Sequence, residues 1–368
     1  MSIYRVYALN TGARAAMSSD LGAVEANTNV ARAPRDATRS QAPVFVLGCG
    51  RSGTKFLYHT LLSAGGFAVY HAESNAFNLI GLRFGDLSRL ENRRQMLDAW
   101  LSSKLFERSG LTREEIEPRV LSECRSAGDF LRILMETIAH KQGMTRWAES
   151  TPLHLLYLPL IKKLIPDALI VHIIRDGRDV AVSLNKIGWI RPFRWDRHRS
   201  LVLAGIFWKW IVSKGRRYGR AMGPDYIEVH YEDLVQHPRE FLARLGEFID
   251  HDLDYDRIQQ VALGSVQSPN SSFKGDTQGQ EKNPMGRWRT VLSSQQVAEL
   301  ESAIGDLLVD TGYQLVTPSR QLSPSFSVRV MELIYPKFYD FKLWLKEHTP
   351  LARITATGRM GISADGRP

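Results

Sequence analysis

The chain has 368 residues, 43% of them apolar, and 48 basic against 39 acidic side chains give it a formal charge of +9. That is enough apolar material for one large α/β domain or two smaller ones, and the positive balance favours anionic ligands. Two cysteines exclude a disulfide framework and a thiolate metal site and make a reducing compartment the default, and no apolar run approaches the ~18 residues of a membrane span.

Residues 1–40 are rich in Ala, Arg, Ser, Thr and Asn with weak periodicity, and read as a low-complexity, mostly disordered extension. Asp20, Glu25 and Asp36 tell against a transit peptide. From Gln41 strands and helices alternate. The apolar run Val44 to Leu47 reads as a buried parallel strand, followed by a turn with Gly48, Gly50 and Gly53 and a helix carrying Phe56, Leu57, Leu61 and Leu62. Strand, glycine turn and helix bring backbone amides and a helix N-terminus against one anionic group. Arg51 and Lys55 add mobile charge there, and Ser52 and Thr54 add hydroxyl donors.

The spacing of Gly48 and Gly53 fits a nucleotide-triphosphatase loop, but Thr54-Lys55 reverse the usual lysine-hydroxyl order. A lysine stands where a hydroxyl would meet Mg²⁺, so the loop is built to hold a phosphoanion without a metal.

Val69 and Tyr70 look like a second strand, and Phe67 to Glu117 is a mixed, mainly helical stretch. Residues 128–141 predict a helix, Thr145 to Ala148 a short strand, and Leu153 to Leu164 another helix. Leu169 to Ile174 is a second buried strand, and it ends at Arg175, where open α/β sheets bind ligands. Asp176 and Asp179 suit the start of the next helix, with Ser183 one turn further along. One guanidinium and one hydroxyl near a strand end make a clamp for a second phosphate.

Leu201 to Val212 is part of an amphipathic core helix, preceded by a basic run from Arg191 to Arg199. Tyr226 to His230 reads as a parallel strand, and Pro238 to Ile249 as a helix opened by proline. Gly264 to Pro284 predicts a long loop of the kind that forms lids, and Ser293 to Asp310 a helix with Ser293 as its N-cap. The aromatic-rich segment Val328 to Leu345 predicts a last helix that caps the domain, pairs two copies or touches a membrane surface. The three segments are therefore 1–40, a domain over 41–317, and a C-terminal helical extension and tail over 318–368. No zinc-ligand spacing, basic-region heptad or RNP-like motif accompanies the charge, so nucleic acid is not an expected partner.

The stretches Val44–His59 and Ala168–Ser183 together resemble the sulfotransferases that use 3′-phosphoadenosine 5′-phosphosulfate (PAPS). Further likeness runs through W-A-E-S-T-P-L-H (Trp147 to His154), I-E-V-H-Y-E-D-L (Ile227 to Leu234) and M-G-R-W-R (Met285 to Arg289), covering roughly residues 41 to 315. The nearest branch holds the tyrosylprotein sulfotransferases and many bacterial enzymes. The resemblance implies a P-loop-NTPase-like central parallel β-sheet flanked by helices. It implies that Arg51, Ser52, Gly53, Thr54, Lys55 and Phe56 bind the 5′-phosphosulfate, and that Arg175 and Ser183 bind the 3′-phosphate. Lys274, Arg287 and Arg289 are the candidate late-loop cations on that second phosphate.

Arg51 and Lys55 are placed to stabilise the leaving phosphate, and a carboxylate or imidazole must take the acceptor proton. Glu73, 22 residues beyond Arg51, corresponds to the base of the tyrosylprotein branch, with His71 as the alternative because imidazole serves in the cytosolic branch. Glu149 is either structural or part of the acceptor site; His59, His154 and His172 read as core or helix-surface residues.

The chain departs from the family at Gly177, where proline is usual, at Lys55, where a hydroxyl residue is usual, and at Ser150, where lysine is often found. The expected activity is metal-independent sulfuryl transfer to an acceptor hydroxyl, carbohydrate or glycolipid preferred, by a cytoplasmic bacterial enzyme. The alternatives are a P-loop kinase or NTPase and an inactive bisphosphonucleotide-binding module. A homodimer and peripheral membrane contact are both compatible with the last helix.

Overall fold

Five short strands carry the fold: β1 (Val44–Leu47), β2 (Phe67–Ala68), β3 (Arg146–Glu149), β4 (Leu169–Ile174) and β5 (Tyr226–His230). The computed structural model describes residues 39–188, 190, 200–267 and 285–349, all within one compact unit. The strands lie in the order β2-β3-β1-β4-β5 and every pairing is parallel. A parallel sheet is covered on both faces, which is why β1 and β4 read as unbroken apolar runs.

Alternation within β1 divides the two faces. Val44 and Val46 pack with Leu57 and Leu61 of α1 (Thr54–Ser63). Phe45 and Leu47 face the opposite core, with residues from α2 (Ala127–Lys141), α4 (Leu201–Arg220) and α6 (Ser294–Asp310). Between these lie α3 (Gly177–Ile187), which follows β4, and α5 (Pro238–Ile249), whose Leu242 and Leu245 join the first face. The last helix is α7 (Phe326–His348), which packs through Tyr335, Tyr339 and Leu343.

The register brings the site segments together. Leu47 pairs with His172, and Ile174 with His230, so Arg175 and Tyr231 leave β4 and β5 side by side. The chain turns to β3 and β2 on one side of β1 and to β4 and β5 on the other. A ligand crevice belongs at the carboxyl ends of such strands.

Most expected elements are present within a residue or two. The strand expected at Val69–Tyr70 is instead the two-residue edge strand β2. The ladder stops because the Gln142 side chain takes the next place: Val69 N–H donates to Gln142 Oε1 at 2.7 Å, and Gln142 Nε2 donates to Val69 O at 3.0 Å. The helix expected over Leu153–Leu164 divides into a 3₁₀ segment, Pro152–Tyr157, and an α-helix, Leu158–Leu164, with Pro159 in the first turn of the second. Ser293 caps α6 as expected: its hydroxyl accepts from Gln296 N–H at 3.3 Å, and Gln296 Oε1 accepts from Ser293 N–H at 3.0 Å. The extension over residues 1–40 lies almost wholly outside the described residues, as do Lys274 and most of the loop over 264–284.

Candidate functional site

The turn after β1 is held tightly by its own backbone and by Tyr231, the residue after β5. Ser52 N–H closes on Cys49 O at 3.0 Å, and Arg51 adopts a left-handed φ of 75°, a conformation costing roughly 1 kcal/mol for a non-glycine residue. Gly53 has φ 93°, and a Cβ there would lie 2.3 Å from the Tyr231 ring, so only glycine fits. The helix beginning at Thr54 then offers first-turn amides that have no intrahelical partner. Ser52 is buried, and its hydroxyl has no hydrogen-bond partner among the described residues.

Two distant segments meet at this turn. Arg51 Nε donates to Ser183 Oγ at 3.0 Å, and Arg175 Nη1 donates to Arg51 O at 3.3 Å. The Arg175 guanidinium lies over the Tyr231 ring, 4.5 Å from its centroid. Desolvation lowers the Arg51 pKa, and the Arg175 charge lowers it further. Arg287 is lowered in the same way, by burial first and then by Arg175. Arg175 thus repels both Arg51 and Arg287 in a partly dehydrated crevice, an arrangement that an anion relieves.

Arg287 is brought there by acidic side chains of α3. Asp179 Oδ2 accepts from Gly286 N–H at 2.7 Å and Oδ1 accepts from Trp288 N–H at 3.0 Å, while Asp176 Oδ2 accepts from the Trp288 indole at 3.1 Å. Arg178 stacks on Trp288, 3.9 Å from a ring centroid, and is bound by Asp176 at 2.8 Å and Glu301 at 2.5 Å. Arg289 instead stacks on Trp288 from an exposed position, so the geometry separates the two late-loop arginines.

Glu73 is exposed, yet protein crowds its carboxylate. Desolvation raises its pKa, Glu149 raises it further, and Lys55 opposes both. The backbone that follows is pinned by Glu149, which is buried and accepts from Ser74 Oγ at 2.8 Å, from the Thr151 hydroxyl and from His154 Nδ1 at 3.0 Å. His154 Nε2 accepts from Phe77 N–H at 3.3 Å, so Nδ1 carries the proton given to Glu149. These donors hold the Glu149 pKa down against its burial. Asn75, at φ 52°, donates from Nδ2 to Glu73 O at 3.1 Å.

His71 is exposed and meets the His59 ring, 5.8 Å away between centroids. His59 and His172 are buried, as expected of core residues: His59 Nδ1 accepts from Ser265 N–H at 2.9 Å, and His172 Nδ1 meets Tyr226 Oη at 2.7 Å. Lys55 is exposed, and Phe56 packs edge-on against Tyr231, 6.4 Å between centroids.

The model of a family described as the sulfotransferase family matches residues 43–255, a span that holds β1, the arginine turn, Glu73, Arg175 and Tyr231. The chain belongs to the sulfotransferase family. It is 26% identical over 220 residues to a protein-tyrosine sulfotransferase of Drosophila melanogaster, an alignment covering 58% of this chain and 38% of that protein. The chain thus spans well under half the length of this curated relative. Among solved structures it is similar to the sulfotransferase domain from the curacin biosynthetic pathway, with 15% identity, 74% of this chain and 98% of that one covered, and a TM-score of 0.49. The sulfotransferase domain of the Synechococcus PCC 7002 olefin synthase gives 18% identity, 74% and 95% coverage, and a TM-score of 0.48.

Sequence reasoning about this sulfotransferase missed the parts played by Tyr231, Asp176, Asp179 and Trp288. A signal for Tyr231 was present, since it follows an apolar strand as Arg175 does. The pairing of Asp179 with a segment 107 residues away left none. Gly177, the departure from the family proline, also has a physical cause: a Cβ there would lie 2.6 Å from the Trp208 ring.

Proposed function

We propose that this sulfotransferase moves a sulfuryl group from PAPS to an acceptor hydroxyl. The observation that carries the reading is the convergence of Arg51, Arg175 and Ser183 across more than 120 residues of chain, beside the buried Ser52 hydroxyl, which has no partner among the described residues. Residues of this chemistry fit a nucleotide with two separate phosphate groups. Arg51, Ser52, Thr54, Lys55 and the amides from Gly53 onward would hold the 5′-phosphosulfate, with Phe56 and Tyr231 packed beneath. Arg175, Ser183 and Arg287 would hold the 3′-phosphate; the exposed Arg289 is the weaker candidate.

When bound, this donor supplies an activated sulfuryl group with a phosphate as its leaving group. Glu73 takes the proton of the acceptor hydroxyl, and its raised pKa suits a group that must accept a proton and later release it. Arg51 and Lys55 offset the charge gathering on the phosphate end, and no metal is assigned a role. Glu149 and His154 position the base rather than touch the acceptor. His71, exposed beside the His59 ring, is the alternative base.

A carbohydrate or glycolipid is the proposed acceptor, and the Drosophila relative makes peptide tyrosine the second class to test. The free, buried cysteines suit a reducing compartment, and the cytoplasm is the proposed location. The deciding experiment is calorimetric titration with adenosine 3′,5′-bisphosphate beside ADP, followed by transfer of labelled sulfate to both acceptor classes. Selective bisphosphate binding and transfer support the proposal; bisphosphate binding without transfer to any acceptor makes the chain an inactive module; failure to bind the bisphosphate refutes it.

A further inference from the structure

The segment that carries Glu73 is anchored on both sides and almost bare between. Upstream, Val69 is bound by the Gln142 side chain, and Tyr70 O accepts from the Tyr58 hydroxyl at 2.7 Å. Downstream, Ser74 Oγ donates to the buried Glu149 carboxylate at 2.8 Å. Across His71, Ala72 and Glu73, the described residues make a single hydrogen bond: Asn75 Nδ2 donates to Glu73 O at 3.1 Å. The Glu73 carboxylate itself has no hydrogen-bond partner among the described residues, which leaves it free to take a proton. What fixes its place is the Asn75 amide.

Asn75 is 6% exposed and sits at φ 52°, ψ 25°, a sparsely populated left-handed conformation that asparagine enters more readily than other non-glycine residues. Its polar groups are all engaged. The N–H donates to the Thr151 hydroxyl at 3.3 Å, the carbonyl accepts from the Leu79 and Ile80 amides at 3.1 Å, and Oδ1 accepts from Asn78 Nδ2 at 2.9 Å. Asn78 thereby sets the orientation of the amide. Reversed, Asn75 would turn oxygen against the Glu73 carbonyl and nitrogen against a second donor. Thr151 passes its own proton to Glu149, so Asn75 stands on the same buried carboxylate as Ser74. A buried non-glycine residue held in such a conformation beside a site points to a functional constraint.

We propose that Asn75 is a positioning residue for sulfuryl transfer: its side-chain amide fixes the main chain at Glu73 so that the free carboxylate meets the acceptor hydroxyl. The proposal rests on the reading of Glu73 as the base. The charged and titratable groups that face this carboxylate are Glu149, Lys55 and His154.

The test is Asn75→Gly, which keeps the left-handed turn and loses the amide, made alone and together with Glu73→Gln. Alone, it should lower the turnover of labelled sulfate at least about tenfold, because a small misplacement of a reacting group is costly, while the affinity for adenosine 3′,5′-bisphosphate stays unchanged. In the Glu73→Gln background it should cost less than about twofold, since the carboxylate through which it acts is already gone. Carbon-13 NMR of the glutamate carboxyls gives a readout apart from turnover, with Glu73 assigned as the signal that Glu73→Gln removes. Released from the protein that crowds it, Glu73 should titrate closer to the ordinary ~4.3 in Asn75→Gly than in the wild type. Circular dichroism checks folding; if Asn75→Gly does not fold, Asn78→Ala, which frees the Asn75 amide without altering the turn, is read in the same way. Wild-type turnover with an unmoved Glu73 titration, a drop in bisphosphate affinity that matches the drop in turnover, or an equal loss in both backgrounds overturns the proposal. Normal turnover in Glu73→Gln alone overturns instead the reading of Glu73 as base, and the role of Asn75 falls with it.

Discussion

Replacing Asp179 separates the charge of the site from its architecture. The carboxylate is 1% exposed, accepts from the amides of Gly286 and Trp288 at 2.7 and 3.0 Å, and lies 3.6 Å from Arg175. Asp179→Ala has two opposed effects. It removes a negative charge beside the proposed phosphate site, which favours anion binding, and it releases the segment that carries Arg287, which disfavours it. Asp179→Asn removes the same charge but keeps an acceptor oxygen for the buried Trp288 amide. The asparagine nitrogen then faces the Gly286 N–H as a second donor, so the difference between the variants reports the Trp288 half of the tether. Leaving a buried amide without a partner costs about 1–3 kcal/mol, so Asp179→Ala should bind adenosine 3′,5′-bisphosphate roughly 5- to 150-fold more weakly than Asp179→Asn. Calorimetry reads both constants. Equal affinities for the two variants would show that the Gly286–Trp288 segment is not held by Asp179 in solution.

Four further outcomes are expected. Arg175→Ala should lose a charge-assisted contact of ~1.5–3 kcal/mol, roughly a 10- to 150-fold drop in bisphosphate affinity by calorimetry; unchanged binding would remove Arg175 from the site. The acid limb of the rate profile should reflect a Glu73 pKa above the ordinary ~4.3, with activity lost as pH falls through it. Lys55→Met should move that limb to higher pH, because the lysine charge holds the Glu73 pKa down; a limb that stays in place or moves to lower pH counts against Glu73 as base. Burial pushes the His172 pKa down to about 3, so below ~6.5 the unfolded chain takes up the proton first and stability falls with pH. His172→Gln should flatten the urea-measured stability slope between about pH 6 and about pH 4.5 by up to about 1.4 kcal/mol per pH unit, and an unaltered slope contradicts the assignment. Gly177→Ala must move the Trp208 ring and should cost about 1–3 kcal/mol in the same denaturation assay; wild-type stability would mean that the ring yields freely.

The parts legible in sequence were those with a local cause. The strands β4 and β5 and helix α5 were readable to the residue because apolar runs end in charge, glycine or proline. Arg51, Arg175 and Ser183 were legible as phosphate-binding types, and strand ends explain why they converge. What could not be read depends on contacts between remote segments. Gln142 ends β2 by imitating a strand, Trp208 requires glycine at 177, and α3 selects Arg287 over Arg289 by gripping the amides on either side of it. The W-A-E-S-T-P-L-H stretch was visible as a pattern, but its service to the Glu73 segment emerges only once Ser74 and Phe77 are seen bound to Glu149 and His154.

The match to the family model ends at residue 255, whereas the groups that satisfy α3 lie beyond it. A chain cut at that limit would keep all five strands and both proposed phosphate-binding motifs, yet it would strip Arg178 of Glu301 and of its Trp288 platform and leave Asp179 without its two amides. Removing one partner of a buried ion pair costs about 3–5 kcal/mol, a large share of the ~5–15 kcal/mol by which a domain is stable at all. The boundary of the family-model match is thus not the boundary of the folding unit, and the stretch from Met285 to Thr317 is as much a part of the sheet's support as the helices inside the match.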